Sequence, residues 1–357
     1  MSAHRGLPLL DRRQDELSKC AYCPKLCRAT CVVSEVEPRE MLTPWGKMTS
    51  AFDTARGGEL DGERAELSWG CTGCFKCREA CDHKNPVTET LNDVRAEYVE
   101  RDLAPPAVKA LLERRLQIEA EHERAAERLQ DAPGASREAT TALLLGCRYA
   151  RHFPEESRAA IRLAARLGGS VRVLSGCCGA WQRAAGSPAA ADAARERLRA
   201  ELGDAKRLLV LEPRCAVELR ELSPTTLVEL AARHLSRFEP DSVATAPVRY
   251  HDSCALGRGL GLYDEPRRLL AQVTGTAPAE LETHHAGSRC SGAGGILPVS
   301  MPEISKEAGR RLADEHTRAG GGILVTSCAS SLSQMRRAGV EAVDLIALLE
   351  RGLKGDG

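Results

Sequence analysis

Fifteen cysteines stand in four groups along 357 residues, and their spacing is the first chemical signal of the chain. Cys20, Cys23, Cys27 and Cys31 form the first group; Cys71, Cys74, Cys77 and Cys81 form the second. Cys147, Cys177, Cys178 and Cys215 follow after a long gap, and Cys254, Cys290 and Cys328 close the series. An odd count without an apolar export segment between Met1 and Leu10 argues against disulfides. Clustered thiols in a reducing compartment are foremost metal ligands.

The second group, with two, two and three residues between its cysteines, has the spacing that wraps a [4Fe–4S] cube. Three thiolates in a tight loop surround one cube, and the fourth reaches its neighbour. The first group is a variant with one extra residue before Cys27. Crossed ligation then assigns Cys20, Cys23, Cys27 and Cys81 to one cluster, and Cys71, Cys74, Cys77 and Cys31 to the other. Val32 and Asp82 stand where a proline usually follows the fourth cysteine. A zinc ribbon spaces two Cys-x-x-Cys knuckles ~15–20 residues apart, unlike four thiols in each short segment. Two cubes in one small domain predict one-electron relay.

The remaining cysteines sit at the ends of short aliphatic runs. These runs are Ala142–Leu145 before Cys147, Leu209–Leu211 before Cys215, Val248–His251 before Cys254 and Ile323–Ser327 before Cys328. Helical-length stretches, Glu155–Leu167, Ala189–Leu202 and Pro302–Arg318, alternate with them. Strand–helix alternation predicts parallel sheets, with ligands beyond the carboxyl ends of the strands. The pattern also repeats. Cys177 and Cys215 are 38 positions apart, as are Cys290 and Cys328. A shift of 113 positions places Cys178 on Ser291, Gly179 on Gly292 and Glu218 on Ser331.

The expected fold is therefore α+β. A mainly helical two-cluster ferredoxin-like domain spans residues 1–103, and a charged helical linker spans 104–139. Two α/β units with short parallel sheets span 140–243 and 244–357. Fifty basic residues balance fifty acidic ones, so neither nucleic acid nor an anionic membrane is indicated as a partner. No apolar run approaches the ~18 residues of a membrane helix. The expected location is cytoplasmic, or peripheral to the inner membrane face through a partner.

Taken together, the two ferredoxin motifs, Cys177-Cys178-Gly179, His251-Asp252-Ser253-Cys254 and Cys290-Ser291-Gly292-Ala293-Gly294-Gly295 resemble a known family. It comprises the iron–sulfur proteins with paired cysteine-rich (CCG) domains. Among its members are the catalytic D subunit of heterodisulfide reductase, the glycolate oxidase iron–sulfur subunit and the small C subunit of anaerobic glycerol-3-phosphate dehydrogenase. Thr43-Pro44-Trp45-Gly46-Lys47 is similar to that family's Ser-Pro-Arg-Gly-Arg segment. The resemblance implies a third iron–sulfur cluster, cubane or non-cubane, at Cys147, Cys177, Cys178 and Cys215. It also implies a second CCG site at Cys254, Cys290 and Cys328. Glu218, Ser291 and Ser331 replace family cysteines, and their hard oxygens do not simply substitute for thiolate. The second unit is thus left open to a cluster, to zinc completed by a histidine, or to no metal.

The resemblance implies an electron-transfer subunit of a multi-subunit oxidoreductase. It would relay electrons between a flavoprotein dehydrogenase or electron-transfer flavoprotein and a quinone or other carrier. Two alternatives stand beside it: an enzyme acting on a thiol or disulfide at the first CCG site, and a metal-stabilised assembly protein without redox turnover. No catalytic residue is assigned. His251 and Arg258 are candidates to tune the second site. His284 and His285 read as a solvated loop, and the glycines after Cys290 read as a device that lets amides approach sulfur. Trp45, Trp69 and Trp181 read as core or interface residues.

Overall fold

The computed structural model describes residues 6–240 and 247–354, so the boundary read between residues 243 and 244 lies outside the described residues. The fold is mixed: helices throughout, with two short parallel sheets. Two compact units emerge. One comprises Met1–Arg115, Trp181–Ala191 and Arg289–Leu312; the other comprises Leu116–Ala180, Asp192–Ser288 and Ala313–Gly357.

The first unit is helical. Helix Pro44–Ala55 starts where its sequence says it should: the Thr43 hydroxyl accepts from the Gly46 amide at 3.0 Å, and Pro44 supplies the fixed φ of a first helical residue. Helix Gly62–Trp69 is capped the same way by Asp61. Helix Val87–Glu100 buries Val87, Leu91, Val94 and Tyr98 at i, i+4, i+7 and i+11, the period of one face. These residues meet Leu10, Leu17, Met48 and Trp69 in one core. A second apolar cluster joins Val32, Val33 and Leu42 to Cys290, Leu297, Met301 and Ile304. Each fully buried Leu or Met there contributes about 1.5–3 kcal/mol.

The second unit carries the sheets. Strands β1 (Thr141–Leu144), β2 (Arg172–Val173), β3 (Arg207–Val210) and β4 (Thr225–Thr226) lie in the order β2-β1-β3-β4, all parallel. Strands β5 (Val248–His251), β6 (Ile323–Thr326) and β7 (Ala342–Asp344) form the other parallel sheet, in that order. An isolated parallel bridge between Arg249 and Ala279 occupies the place next to β5 that β2 takes next to β1. Both sheets end alike: Thr226 at the end of β4 and Asp344 at the end of β7 each cap the helix that follows. The duplication seen in the cysteine spacing is therefore a duplication of topology. The aliphatic runs are strands β1, β3, β5 and β6, burying almost every side chain, and the expected helices appear as Pro154–Gly168, Pro188–Leu202 and Pro302–Arg318. The charged stretch forms helices Pro106–Glu113 and Arg115–Glu127, in which Val108, His122, Ala125 and Ala126 are buried.

Candidate metal centres

In the first unit, left-handed residues bend the chain around the thiols. Lys25, Gly73 and Phe75 all have positive φ. Two of these turns aim a backbone amide at a sulfur two residues earlier: Lys25 N–H donates to Cys23 Sγ at 3.3 Å, and Gly73 N–H to Cys71 Sγ at 3.4 Å. Asn85 Nδ2 donates to Cys20 Sγ at 3.0 Å. Burial pushes the Cys20 thiol up to about 12, with Cys27, Cys23 and Cys81 adding to the rise. Cys77 is pushed well above the ordinary thiol value by burial, then by Cys71, Cys74 and Cys31. Cys81 thus lies near Cys20 and Cys27, and Cys31 lies near Cys77 as well as near Cys27.

The spacing of the sulfurs bears on what they fit. One tetrahedral zinc with ~2.3 Å bonds needs sulfurs about 4 Å apart. Among the described residues, no three cysteine sulfurs lie within 4.8 Å of one another. A polynuclear cluster, which separates its thiolates more widely, suits the arrangement better.

Charge points the same way. Lys47 is buried, with Nζ donating to the Gly70 carbonyl and lying 3.6 Å from Cys31 Sγ. Arg95 is buried as well; Nε and Nη2 donate to the Ser68 carbonyl at 2.9 and 2.7 Å, Nη2 to Cys71 O at 3.1 Å and Nη1 to Ala184 O at 2.9 Å. Among the described residues, neither cation has a carboxylate partner. Burial pulls the Arg95 guanidinium down, while Cys71 opposes the shift. Buried cations persist when something negative compensates them. A thiolate-ligated iron–sulfur cluster held at Cys31, Cys71, Cys74 and Cys77 would supply that charge, so the residues fit the group.

Lys47 should accordingly tune the centre at Cys31. K47M is expected to lower its midpoint potential by roughly 50–100 mV, the electrical equivalent of about 1–2 kcal/mol at intermediate dielectric. Removing a positive charge penalises the more negative, reduced state. An EPR-monitored redox titration reads the shift, and a rise in potential would contradict the argument.

The Cys290 motif belongs to this same unit. Gly292 N–H donates to Cys290 Sγ at 3.4 Å, repeating the i to i+2 pattern of the ferredoxin loops. Cys290 Sγ lies 3.4 Å from Thr72 Oγ1. Gly294 and Gly295 have no space for a side chain, because an added Cβ would sit 2.5 Å from Thr72 O and 2.4 Å from Cys71 O. The glycine run thus serves two purposes: one amide approaches sulfur, and the rest seats the motif on the Cys71–Thr72 loop.

The second unit holds Cys147, Cys177, Cys178 and Cys215 in a relay of hydrogen bonds. Cys147 pairs with Cys177, Cys177 with Cys178 and Cys178 with Cys215. Gly179 N–H donates to Cys177 Sγ at 3.5 Å. Gly146, at φ 91, gives Glu212 and Cys215 room; a Cβ there would lie 2.7 Å from Glu212 Cβ. A cavity of about 250 Å³ opens on Cys177 and is lined by His122, Arg197 and Glu201 among others. His122 Nε2 donates to Gly176 O at 3.0 Å, and burial lowers its basicity.

Cys254 and Cys328 lie in this unit and interact, whereas Cys290 lies in the other. Burial pushes Cys328 up to about 12, with Glu212 and Cys254 adding to the rise, while the Ser331 backbone and hydroxyl donate to it and oppose the shift. Ser331 therefore supports a neighbouring thiol from the position of the family cysteine. Burial lowers the Arg214 guanidinium, but Cys254, Glu218, Cys328 and Glu212 around it outweigh burial and raise it. Arg258, singled out from sequence, instead donates to the carbonyls of Ala286 and Ser288, both at 3.0 Å. His251 is buried, with Nδ1 3.3 Å from Thr326 Oγ1. Trp69 is a core residue whose indole donates to Ala185 O; Trp45 carries the Lys25 ammonium over its ring, and Trp181 is partly buried.

Sequence reasoning missed Arg95, Asn85, Glu212 and Arg214. Arg95 had a signal: it lies on the apolar face of its helix, between Leu91 and Tyr98. Lys47 was visible only as the last residue of the Thr43–Lys47 segment that is similar to the family's motif.

Comparison with known proteins agrees with the geometry. A 4Fe-4S dicluster domain matches residues 16–85, and a cysteine-rich (CCG) domain matches residues 141–220 and 248–336. The chain is 24% identical over 307 residues to the B subunit of fumarate reductase (CoM/CoB) from Methanothermobacter marburgensis, covering 80% of this chain and 62% of that protein. It is 21% identical over 384 residues to the D subunit of dihydromethanophenazine:CoB–CoM heterodisulfide reductase from Methanosarcina acetivorans, covering 95% and 94% respectively. It is 29% identical over 186 residues to lactate utilization protein A of Geobacillus kaustophilus, covering 46% and 77%. Dicluster motif, duplicated sheets and thiol placement all lead to one assignment: the chain belongs to the cysteine-rich (CCG) domain iron–sulfur proteins.

Proposed function

We propose that the chain is the iron–sulfur electron-transfer subunit of a multi-subunit oxidoreductase, passing single electrons between a flavin-containing dehydrogenase and a quinone or other carrier. Cys20, Cys23, Cys27 and Cys81 would hold one [4Fe–4S] cluster; Cys71, Cys74, Cys77 and Cys31 would hold the second. Cys147, Cys177, Cys178 and Cys215 would hold a third centre. Such clusters supply reversible one-electron chemistry, and the protein sets their potential and access. Lys47 and Arg95 stabilise negative charge at the second set, Asn85 and the loop amides stabilise individual sulfurs, and Thr72 links that loop to Cys290.

The observation that carries the relay is the seating of Cys290, through Thr72, Gly294 and Gly295, on the loop that supplies Cys71. A thiol of the second CCG motif is thereby packed against the backbone of a ferredoxin motif, a short path for an electron. The likeness to lactate utilization protein A supports a 2-hydroxy acid as the substrate oxidised upstream. The likeness to reductase subunits supports a partner in a complex. Among the described residues, no helix is long and apolar enough to cross a membrane, so a quinone would be met through a partner or at the membrane surface.

Anaerobic purification tests the reading. The expected protein is brown, with broad absorption near ~400 nm, about eight or more irons and matching acid-labile sulfide, and dithionite-induced EPR signals. Electron transfer should require a flavoprotein partner. Colourless, zinc-bearing protein would refute the relay and favour an assembly role. The cavity on Cys177 favours a second reading, thiol or disulfide chemistry at the first CCG site. Disulfide reduction by the isolated chain with an artificial donor would establish that reading in place of the first.

A further inference from the structure

We propose that Glu280, His284 and His285 form a zinc site separate from every thiol centre. One ligand atom from each of these three residues falls within 4.8 Å of the other two. The two imidazoles meet directly, Nδ1 to Nδ1, at 2.7 Å. At that separation two lone pairs repel unless a proton lies between them, and a tetrahedral zinc with ~2.0–2.1 Å bonds would part the nitrogens to about 3.3 Å. Without metal a shared proton satisfies the pair; zinc replaces it, and the proton leaves to solvent. Two imidazoles and one carboxylate are a donor set that suits zinc, with a fourth position left for water.

The surroundings hold these donors in place. His285 is held at φ 52, a left-handed conformation that costs a non-glycine residue about 1 kcal/mol or more and persists only where its neighbours enforce it. Its N–H donates to Asp252 Oδ2 at 2.7 Å, and its ring stacks on Tyr263 at 5.7 Å. Arg267 donates to both Glu280 oxygens at 2.6 and 2.9 Å and to both Asp252 oxygens at 2.8 Å. That guanidinium fixes the Glu280 carboxylate from behind, as the supporting groups of metal-bound carboxylates do. Asp252 and Glu280 against one arginine leave one negative charge in excess, which favours a divalent cation. The loop so fastened runs into Cys290, five residues after His285 in the sequence.

The test uses the cluster-loaded protein and zinc chloride alone. After equilibration and gel filtration under anaerobic conditions, zinc and iron are counted by mass spectrometry. Wild type should retain one zinc per chain beyond the H284A variant, whose substituted side chain is exposed, with iron equal in both. H285N, in which asparagine tolerates the left-handed backbone, should lose the same zinc. Each loss should exceed the ~10–100-fold weakening that follows removal of a mere supporting contact. Equal zinc in wild type and H284A overturns the site, whatever the iron count says of the relay. Should H285N also lose iron, H284A alone decides.

Discussion

Replacing Cys77 with alanine is expected to remove about four irons and to abolish electron transfer through the chain. Burial and four neighbouring thiols, Cys71, Cys74, Cys31 and, most weakly, Cys27, act on this sulfur. A thiolate in that setting would need iron to compensate it, because a coordinating thiol is deprotonated outright. Alanine leaves three ligands and an open iron with no further thiol of its own set to recruit. Iron and sulfide analysis of anaerobically purified C77A should show a loss of about one cube, with the set around Cys20 retained. Electron flow from a reduced flavoprotein should fall to background. Unchanged iron would remove Cys77 from the ligand set and, with it, the proposed crossed ligation.

Substituting Arg95 by methionine should be the most damaging change outside the cysteines. Its guanidinium joins the carbonyls of Ser68, Cys71 and Ala184, so it ties together three segments of the first unit. Methionine fills part of the volume but leaves three buried carbonyls without a donor. Charged hydrogen bonds of this kind contribute ~1.5–3 kcal/mol each, and the net loss should be about 3–5 kcal/mol. At ~2–4 °C per kcal/mol, the melting temperature of the loaded protein should drop by roughly 10 °C. R95K separates the roles: it keeps the charge beside Cys71, yet a single ammonium cannot serve three carbonyls in that fork. It should retain more of the cluster potential than R95M while recovering little of the stability. Wild-type thermal stability in R95M would show that the carbonyls find other donors and that the charge is dispensable.

Much of this molecule is legible in the sequence because its chemistry is local. Thiol spacing within eleven or twelve residues fixes the ferredoxin loops, and four aliphatic runs ending near cysteines mark β1, β3, β5 and β6. Edge strands β4 and β7 were not legible: two or three residues carry too little period to distinguish strand from loop. Glu212 and Arg214 were also invisible as site residues. They flank a proline between a strand and a thiol, where a loop reading costs nothing, and only the fold turns them toward Cys328 and Cys254. Arg95 shows the same limit from the other side. A charge on an apolar helical face signals a buried partner but does not say which one. The trio at Glu280, His284 and His285 reads as solvated loop because adjacent histidines converge only in a left-handed turn, which no spacing rule anticipates.

The seating of Leu297, Met301 and Ile304 among Val32, Val33 and Leu42 has a consequence for how such a protein is divided. A fragment cut after Arg115 would retain all eight ferredoxin-type cysteines yet lose the apolar plug that closes their outer flank. The exposed valines and leucine would then seek other hydrophobic company, making the excised piece prone to clump. The relay's first station is thus completed by chain synthesised nearly two hundred residues later, so assembly of its inorganic cores has reason to wait for the whole polypeptide.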